Sequence, residues 1–191
     1  MERFPDKDHY FFAVYDGFGK EGKSISTSYN DAIQTFIENN VKRYTGLNSD
    51  KKVKSFFNDA IKDAEKTIKA SKPEESERSG CTFCGVYINK NMYYGINVGN
   101  SKAAIGSKKL GKEDEVNVSV FADTHSLDNA GEKSRVEKVE GVTIKKADLQ
   151  TPEHHPERIY LDPEGPGCTT TRCLGAFKYK KCMSNEVDVH Q

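Results

Sequence analysis

Residues 11–24 read FFAVYDGFGKEGKS, and three different structures compete for them. Phe11 to Tyr15 is a continuous apolar run of the kind that forms a buried strand. It ends on Asp16-Gly17, and glycines at 17, 19 and 22 then punctuate a turn. One parse is a phosphate-binding loop of a nucleotide binder: Gly17-x4-Gly22-Lys23-Ser24 satisfies G-x4-G-K-S/T after a strand and before a helix. Backbone N–H groups would then cradle phosphate, with Lys23 on the outer phosphates and Ser24 on Mg²⁺. The run Val118 to Asp123 would serve as a second magnesium element. A second parse places Mg²⁺ or Mn²⁺ on the Asp16 carboxylate and the Gly17 carbonyl, the hard oxygen donors these ions take. The third is a plain strand–turn–helix connection, with glycines for sterics and lysines for solubility.

Working outward, periodicity predicts a helix over residues 28–44, with Ala32, Ile33, Phe36, Ile37 and Val41 near one face. Asn48-Ser49-Asp50 supplies capping residues for a second helix over 51–70. Its apolar stripe is Val53, Phe56, Phe57, Ala60, Ala64 and Ile68. A polar loop (residues 71–79) gives way to strands at 81–88 and 92–98, joined so tightly that they must pair antiparallel. Further strands are expected at 102–106 and 116–122, then a short helix over 128–140. Residues 151–157 read as a proline-bounded loop, and 158–161 and 168–173 as short strands. This order counts against the phosphate loop, whose domains alternate strand and helix around a parallel sheet.

The 191 residues suit one domain, taken as 1–181 with a polar tail at 182–191. Zero formal net charge argues against bulk attraction to nucleic acid or an anionic membrane. No basic-then-apolar leader and no 18-residue apolar run is present, so an intracellular location, cytoplasmic or nuclear, is expected. Five cysteines at irregular spacing are not a disulfide framework. Cys81-x2-Cys84 with Cys168-x4-Cys173 is a poor zinc set: one strand would point Cys81 and Cys84 to opposite faces, and no spaced histidine pair completes it (His154-His155 are adjacent). Buried free thiols are the expectation.

Five segments, in order, carry a resemblance. They are FFAVYDGFGK at Phe11, SGCTFCGVYI at Ser79, NVGNSKA at Asn97, DTHSLDNAGEKSRVE at Asp123 and TRCLGAFKYK at Thr171. Together they resemble the FFAVYDGHGG, SGSTA, NVGDSRA, D-H-x-P-x4-E-x2-R-I/V-E and SRSLGDFKYK motifs of the metal-dependent protein serine/threonine phosphatases of type 2C. The resemblance implies an α+β fold: an α-β-β-α sandwich, antiparallel sheets flanked by helices, here incomplete. It also implies a two-metal Mg²⁺ or Mn²⁺ site whose bridging hydroxide attacks phosphorus in line.

The departures from that pattern matter as much. Asp16 and Gly17 match the bridging carboxylate and the carbonyl ligand, and Glu2 is placed at a further metal-ligand position. Phe18 stands at the family's general-acid histidine, where a phenyl ring has no proton to give. Such help is typically worth ~10²–10⁴-fold. Lys20 replaces a glycine, Asn100 and Ala176 replace aspartates, and Thr124 replaces the aspartate before His125. The family's later metal-binding aspartates find no match after Ala176, and Asp188 is read as part of the tail. The expectation is therefore a degenerate domain with weak or absent Mg²⁺ or Mn²⁺ and no intact catalytic set, working as a binding or regulatory module. Phosphoproteins or a regulatory protein are the expected partners, with self-association through open sheet edges. The alternatives are an active phosphatase in a longer form, or the phosphate-loop nucleotide binder. His125 and Arg172 are read as structural rather than chemical groups, Arg172 in an ion pair.

Overall fold

The structure, a computed structural model, describes residues 2–3, 9–40, 42, 46–109, 111–120, 124–146, 156–162, 165 and 167–191. In chain order the elements begin with β1 (Glu2–Arg3), β2 (His9–Val14), β3 (Gly17–Phe18), α1 (Gly22–Asn40), α2 (Asp50–Ser71) and α3 (Glu75–Arg78). Next come β4 (Gly80–Cys81), β5 (Phe83–Asn89), β6 (Met92–Val98), β7 (Ala104–Lys109), β8 (Lys112–Val120) and α4 (Ala130–Glu137). The last are β9 (Thr143–Lys146), β10 (Glu157–Tyr160), β11 (Leu174–Gly175), a 3₁₀ turn (Phe177–Tyr179) and β12 (Asp188–His190).

The largest sheet has the order β1-β2-β5-β6-β12, every pair antiparallel. Its alternation separates two faces. Phe11, Phe83, Tyr87, Tyr94, Ile96 and Val98 face a core completed by Ile25, Tyr29, Ile33 and Ile37 of α1 and by the α2 stripe. Phe56 and Phe57 are fully buried there. Truncating either to Ala should cost about 3–5 kcal/mol. On the other face Phe12 and Val14 stay 44% and 66% exposed.

Helix α1 starts six residues earlier than periodicity suggests, taking in Lys23 and Ser24. Its serines and threonines have modest helix propensity. Ile25 and Tyr29 are fully buried, however, and Thr27 and Ser28 donate back to the Lys23 and Ser24 carbonyls. Burial wins over local preference. Ser49 is the residue before α2, yet its side chain makes no capping hydrogen bond. Asn129 does cap α4, accepting from the Gly131 and Glu132 N–H groups.

A second, smaller sheet, β11-β4-β3, closes the end of the first. The expected single strand over 81–88 is broken at Thr82, whose N–H bonds the Asp16 carbonyl at 2.9 Å. Cys81 therefore belongs to one sheet and Cys84 to the other. Hairpin β7–β8 forms a sheet of its own and leaves Val116, Val118 and Val120 exposed.

Residues 182–191 are part of the fold, in place of the expected polar tail. Cys182, Met183 and Val187 are buried, and β12 pairs with β6. Cys182 and Met183 join a second core with Leu127, Val136, Ile159, Cys173, Ala176 and Tyr179.

Candidate active-site cleft

Asp16 sits where the two sheets part. Strand β2 ends at Val14, and β3 then pairs Gly17 with Cys81 and Phe18 with Gly80. The turn needs its glycines. A Cβ on Gly17 would lie 2.3 Å from the Gly22 carbonyl oxygen, and Gly19 has φ +83 with Ser79 Oγ at 2.7 Å from its would-be Cβ. Ser79 Oγ accepts from the Glu21 N–H at 3.0 Å, fixing the far side.

The same contacts overturn the phosphate-loop parse. Gly17 and Gly22 pack backbone to backbone, leaving no cradle between them. Ser24 Oγ donates to Glu75 Oε2 at 2.8 Å and accepts from Lys72 Nζ at 2.6 Å, so it is engaged elsewhere. The preceding strands are antiparallel. Asp123, the supposed second element, lies outside the described residues.

A cleft of about 320 Å³ opens beside Asp16, lined by Phe18, Arg78, Asn100, Arg158, Thr169 and Tyr179 among others. Asp16 is the one carboxylate lining it among the described residues. The Phe18 ring packs against the second core, and its Cζ lies 3.0 Å from a Cβ built on Gly80. Phe18, expected from the resemblance at a proton-donor position, is a packing group in the fold. Glu2 pairs with Phe11, five residues before Asp16, and extended chain runs roughly 3.3 Å per residue. That register does not bring Glu2 to Asp16. Lys20 projects into solvent, its side chain 94% exposed.

Among the described residues no group of three or more His, Cys, Asp or Glu could hold a metal ion. Asp16 and the Gly17 carbonyl alone do not fit the family's paired ions, because divalent magnesium needs near-octahedral oxygen ligation. The zinc set fails as well. All five cysteines are free; burial pushes the Cys173 thiol up to about 12 and, with Cys182 nearby, the Cys168 thiol up to about 11. His154-His155 lies outside the described residues.

Behind the cleft is a polar network whose extent the sequence does not reveal. Glu132 is 6% exposed. Its Oε1 accepts from Arg172 Nη2 and Nε at 2.7 and 3.0 Å, and its Oε2 from Arg135 Nη2 and Thr171 Oγ1 at 2.8 and 2.6 Å. Burial would raise the Glu132 pKa, but the hydrogen bonds from Arg172, Arg135 and Thr171 outweigh it and hold the group at about 2. Arg172 also pairs with Asp188 at 3.3 Å. Buried His125 accepts the Gly99 N–H on Nδ1 at 2.9 Å, so its proton sits on Nε2 and is donated to Asp188 Oδ2 at 2.9 Å. This bond, first, with Arg172 and Lys54, keeps the Asp188 carboxyl well below its usual range against the opposing effect of burial. His125 and Arg172 are thus structural, and Asp188 is their anchor.

Asn100 Nδ2 donates to Thr169 Oγ1 at 3.3 Å, tying the β6 turn to the far wall of the cleft. Arg78, at the end of α3, and Arg158, in β10, carry no mark in the sequence, since isolated arginines of two distant elements form no motif.

The family profile of protein phosphatase 2C matches residues 2–191. Protein phosphatase 2C homolog 2 of Aspergillus fumigatus is 29% identical over 141 residues, covering 72% of this chain and 29% of that protein. Homolog 3 of Schizosaccharomyces pombe is 31% identical over 126 residues, covering 66% and 27%. The chain thus spans under a third of the length of these curated relatives. The crystal structure of serine-threonine phosphatase 2C from Toxoplasma gondii superimposes with a TM-score of 0.75 at 18% identity, covering 97% of this chain and 64% of that one. A Caenorhabditis elegans sex-determining protein matches with a TM-score of 0.71 at 17% identity, covering 95% and 39%. No helix among the described residues is long and apolar enough to cross a membrane. With its motifs in order, its antiparallel sheets flanked by helices and a match along its whole length, the chain belongs to the protein phosphatase 2C family.

Proposed function

We propose that this chain is a phosphatase-2C-fold domain without useful hydrolysis that serves as a binding or regulatory module. The observation that carries this reading is Phe18, packed against the second core beside Asp16, the one carboxylate lining the cleft among the described residues. The leaving alkoxide finds no proton donor there, and the family's Mg²⁺ or Mn²⁺ finds too few oxygens, so metal binds weakly or not at all. Phosphoproteins or a regulatory protein are the partners, and the exposed apolar sheet face supports self-association or a covering partner.

The test is turnover of para-nitrophenyl phosphate with Mn²⁺. The expected rate equals that of the Asp16→Ala variant. Metal-dependent turnover that Asp16→Ala abolishes overturns the reading. A second reading, an active phosphomonoester hydrolase in a longer form, is favoured by the share of its relatives that the chain spans. It requires a longer protein that turns over phosphopeptide with Mn²⁺ and loses that activity on Asp16→Ala.

A further inference from the structure

We infer that the open sheet face is covered by a second copy of this chain: the valine row of β8 in each copy seats in the groove beside Phe12 and Val14 of the other. The inference rests on the preceding reading of that face as an interaction surface, and names what occupies it. Two apolar surfaces of one chain face solvent. The first is a groove of about 630 Å³, floored by Phe12, Val14 and Val86 and walled by residues 101–103. The second is a ridge. Val116, Val118 and Val120 alternate along β8, so all three stand on one face of the hairpin, 54–67% exposed.

The ridge stands clear of its strand partner. Ala104 and Gly106 lie opposite Val120 and Val118, and a Cβ built on Gly106 would meet only Val116 Cγ1 within 4 Å, at 3.5 Å. Residues 116–120 read VNVSV, with no charge and no proline to keep another chain away. Scattered apolar residues on a surface need no cover, but two such patches on one molecule do.

Residues 101–103 wall the groove and lead directly into β7, so the hairpin is tethered at the rim of its own groove and its exposed valines do not fill it. Another molecule can bring a ridge there. A second copy carries both halves, and a two-fold axis uses each twice, position 14 meeting position 118 of the other copy and the reverse. That pair is closed and leaves neither surface open for a polymer. The charges fit the same arrangement. Asp16 and Lys102 border the groove, while Lys108, opposite Val116, and Glu115 border the ridge. Each border holds one charge of each sign, so the two can pair across the contact. A strand of this length with its partner covers on the order of 150 Å² at strand spacings. With both contacts counted on both copies the dimer buries roughly 600–1,000 Å², below the ~1,200 Å² at which stable complexes begin. The dimer is therefore weak, with a Kd on the order of 100 μM.

The test is sedimentation equilibrium of the 191-residue chain up to about 1 mM, with Val14→Lys, Val118→Glu and an equimolar mixture of the two variants. Both positions are exposed, so each variant keeps its fold, which unchanged thermal midpoints verify. Wild type is expected to dimerise. Each variant alone should associate at least about tenfold more weakly, and the mixture should recover a heterodimer. In that heterodimer one contact is wild type, and the other sets the introduced lysine against the introduced glutamate. Three outcomes overturn the proposal: a wild-type chain that stays monomeric, Val118→Glu as associated as wild type, or a mixture no more associated than its components. If Val14→Lys alone dissociates the dimer, the exchange falls and self-association through the sheet face stands. A monomeric wild type removes both. The non-catalytic reading is decided separately, by turnover.

Discussion

Replacing Glu132 by Gln should destabilise the fold strongly at neutral pH and far less in acid. Glu132 lies in the first turn of α4, 6% exposed, and both its oxygens are taken by Arg172, Arg135 and Thr171. Its folded pKa of about 2 lies below the ordinary 4.5. A carboxyl depressed in the folded state contributes stability that is whole above its unfolded pKa and is lost as pH falls toward the folded value. The window is therefore roughly pH 4.5 down to 2. The difference between those two values corresponds to about 3 kcal/mol. Gln keeps the shape but removes the charge, leaving Arg172, 14% exposed, with the Asp188 carboxylate and the Glu186 carbonyl. A cost of about 2–4 kcal/mol follows, toward the low side of values for breaking buried pairs, because Arg135 is 36% exposed. Urea unfolding at pH 7 and at pH 3 measures it, with equal m-values required for comparison. The gap between wild type and variant should narrow in acid. A variant within about 0.5 kcal/mol of wild type at pH 7, or a gap unchanged at pH 3, would refute the network as a stability element.

Gly17→Ala places a methyl 2.3 Å from the Gly22 carbonyl oxygen, backbone against backbone, and should lower unfolding free energy by at least about 2 kcal/mol. An unchanged midpoint in thermal unfolding would mean that the turn can relax. Val14→Lys sits on the open sheet face at 66% exposure and should leave unfolding free energy within about 0.5 kcal/mol while reducing self-association. Light scattering checks it; a wild-type chain that is already monomeric at high concentration removes the basis for that expectation.

How much was legible follows the range of each interaction. Helix α2 was readable almost to its ends, since Val53 through Ile68 repeat on one face over many turns. The β5–β6 hairpin was readable from its short turn, and the family from motifs that are each contiguous in the chain. The start of α1 was not, because Ile25 and Tyr29 owe their helical state to a core that forms later in the chain. Residues 182–191 read as polar because Glu186 and Asp188 dominate them. Their burial depends on β6 and on His125, far away in sequence. The break at Thr82, which sends Cys81 and Cys84 to different sheets, likewise has no local mark.

Sequence alone therefore determined the family and the order of elements, because those are properties of residue type and spacing along one chain. Only the folded chain decided what surrounds Asp16. Arg78 ends helix α3, Arg158 lies in strand β10 and Thr169 in the bend that follows, and the sign of a site's charge depends on which side chains meet in space rather than on which follow one another.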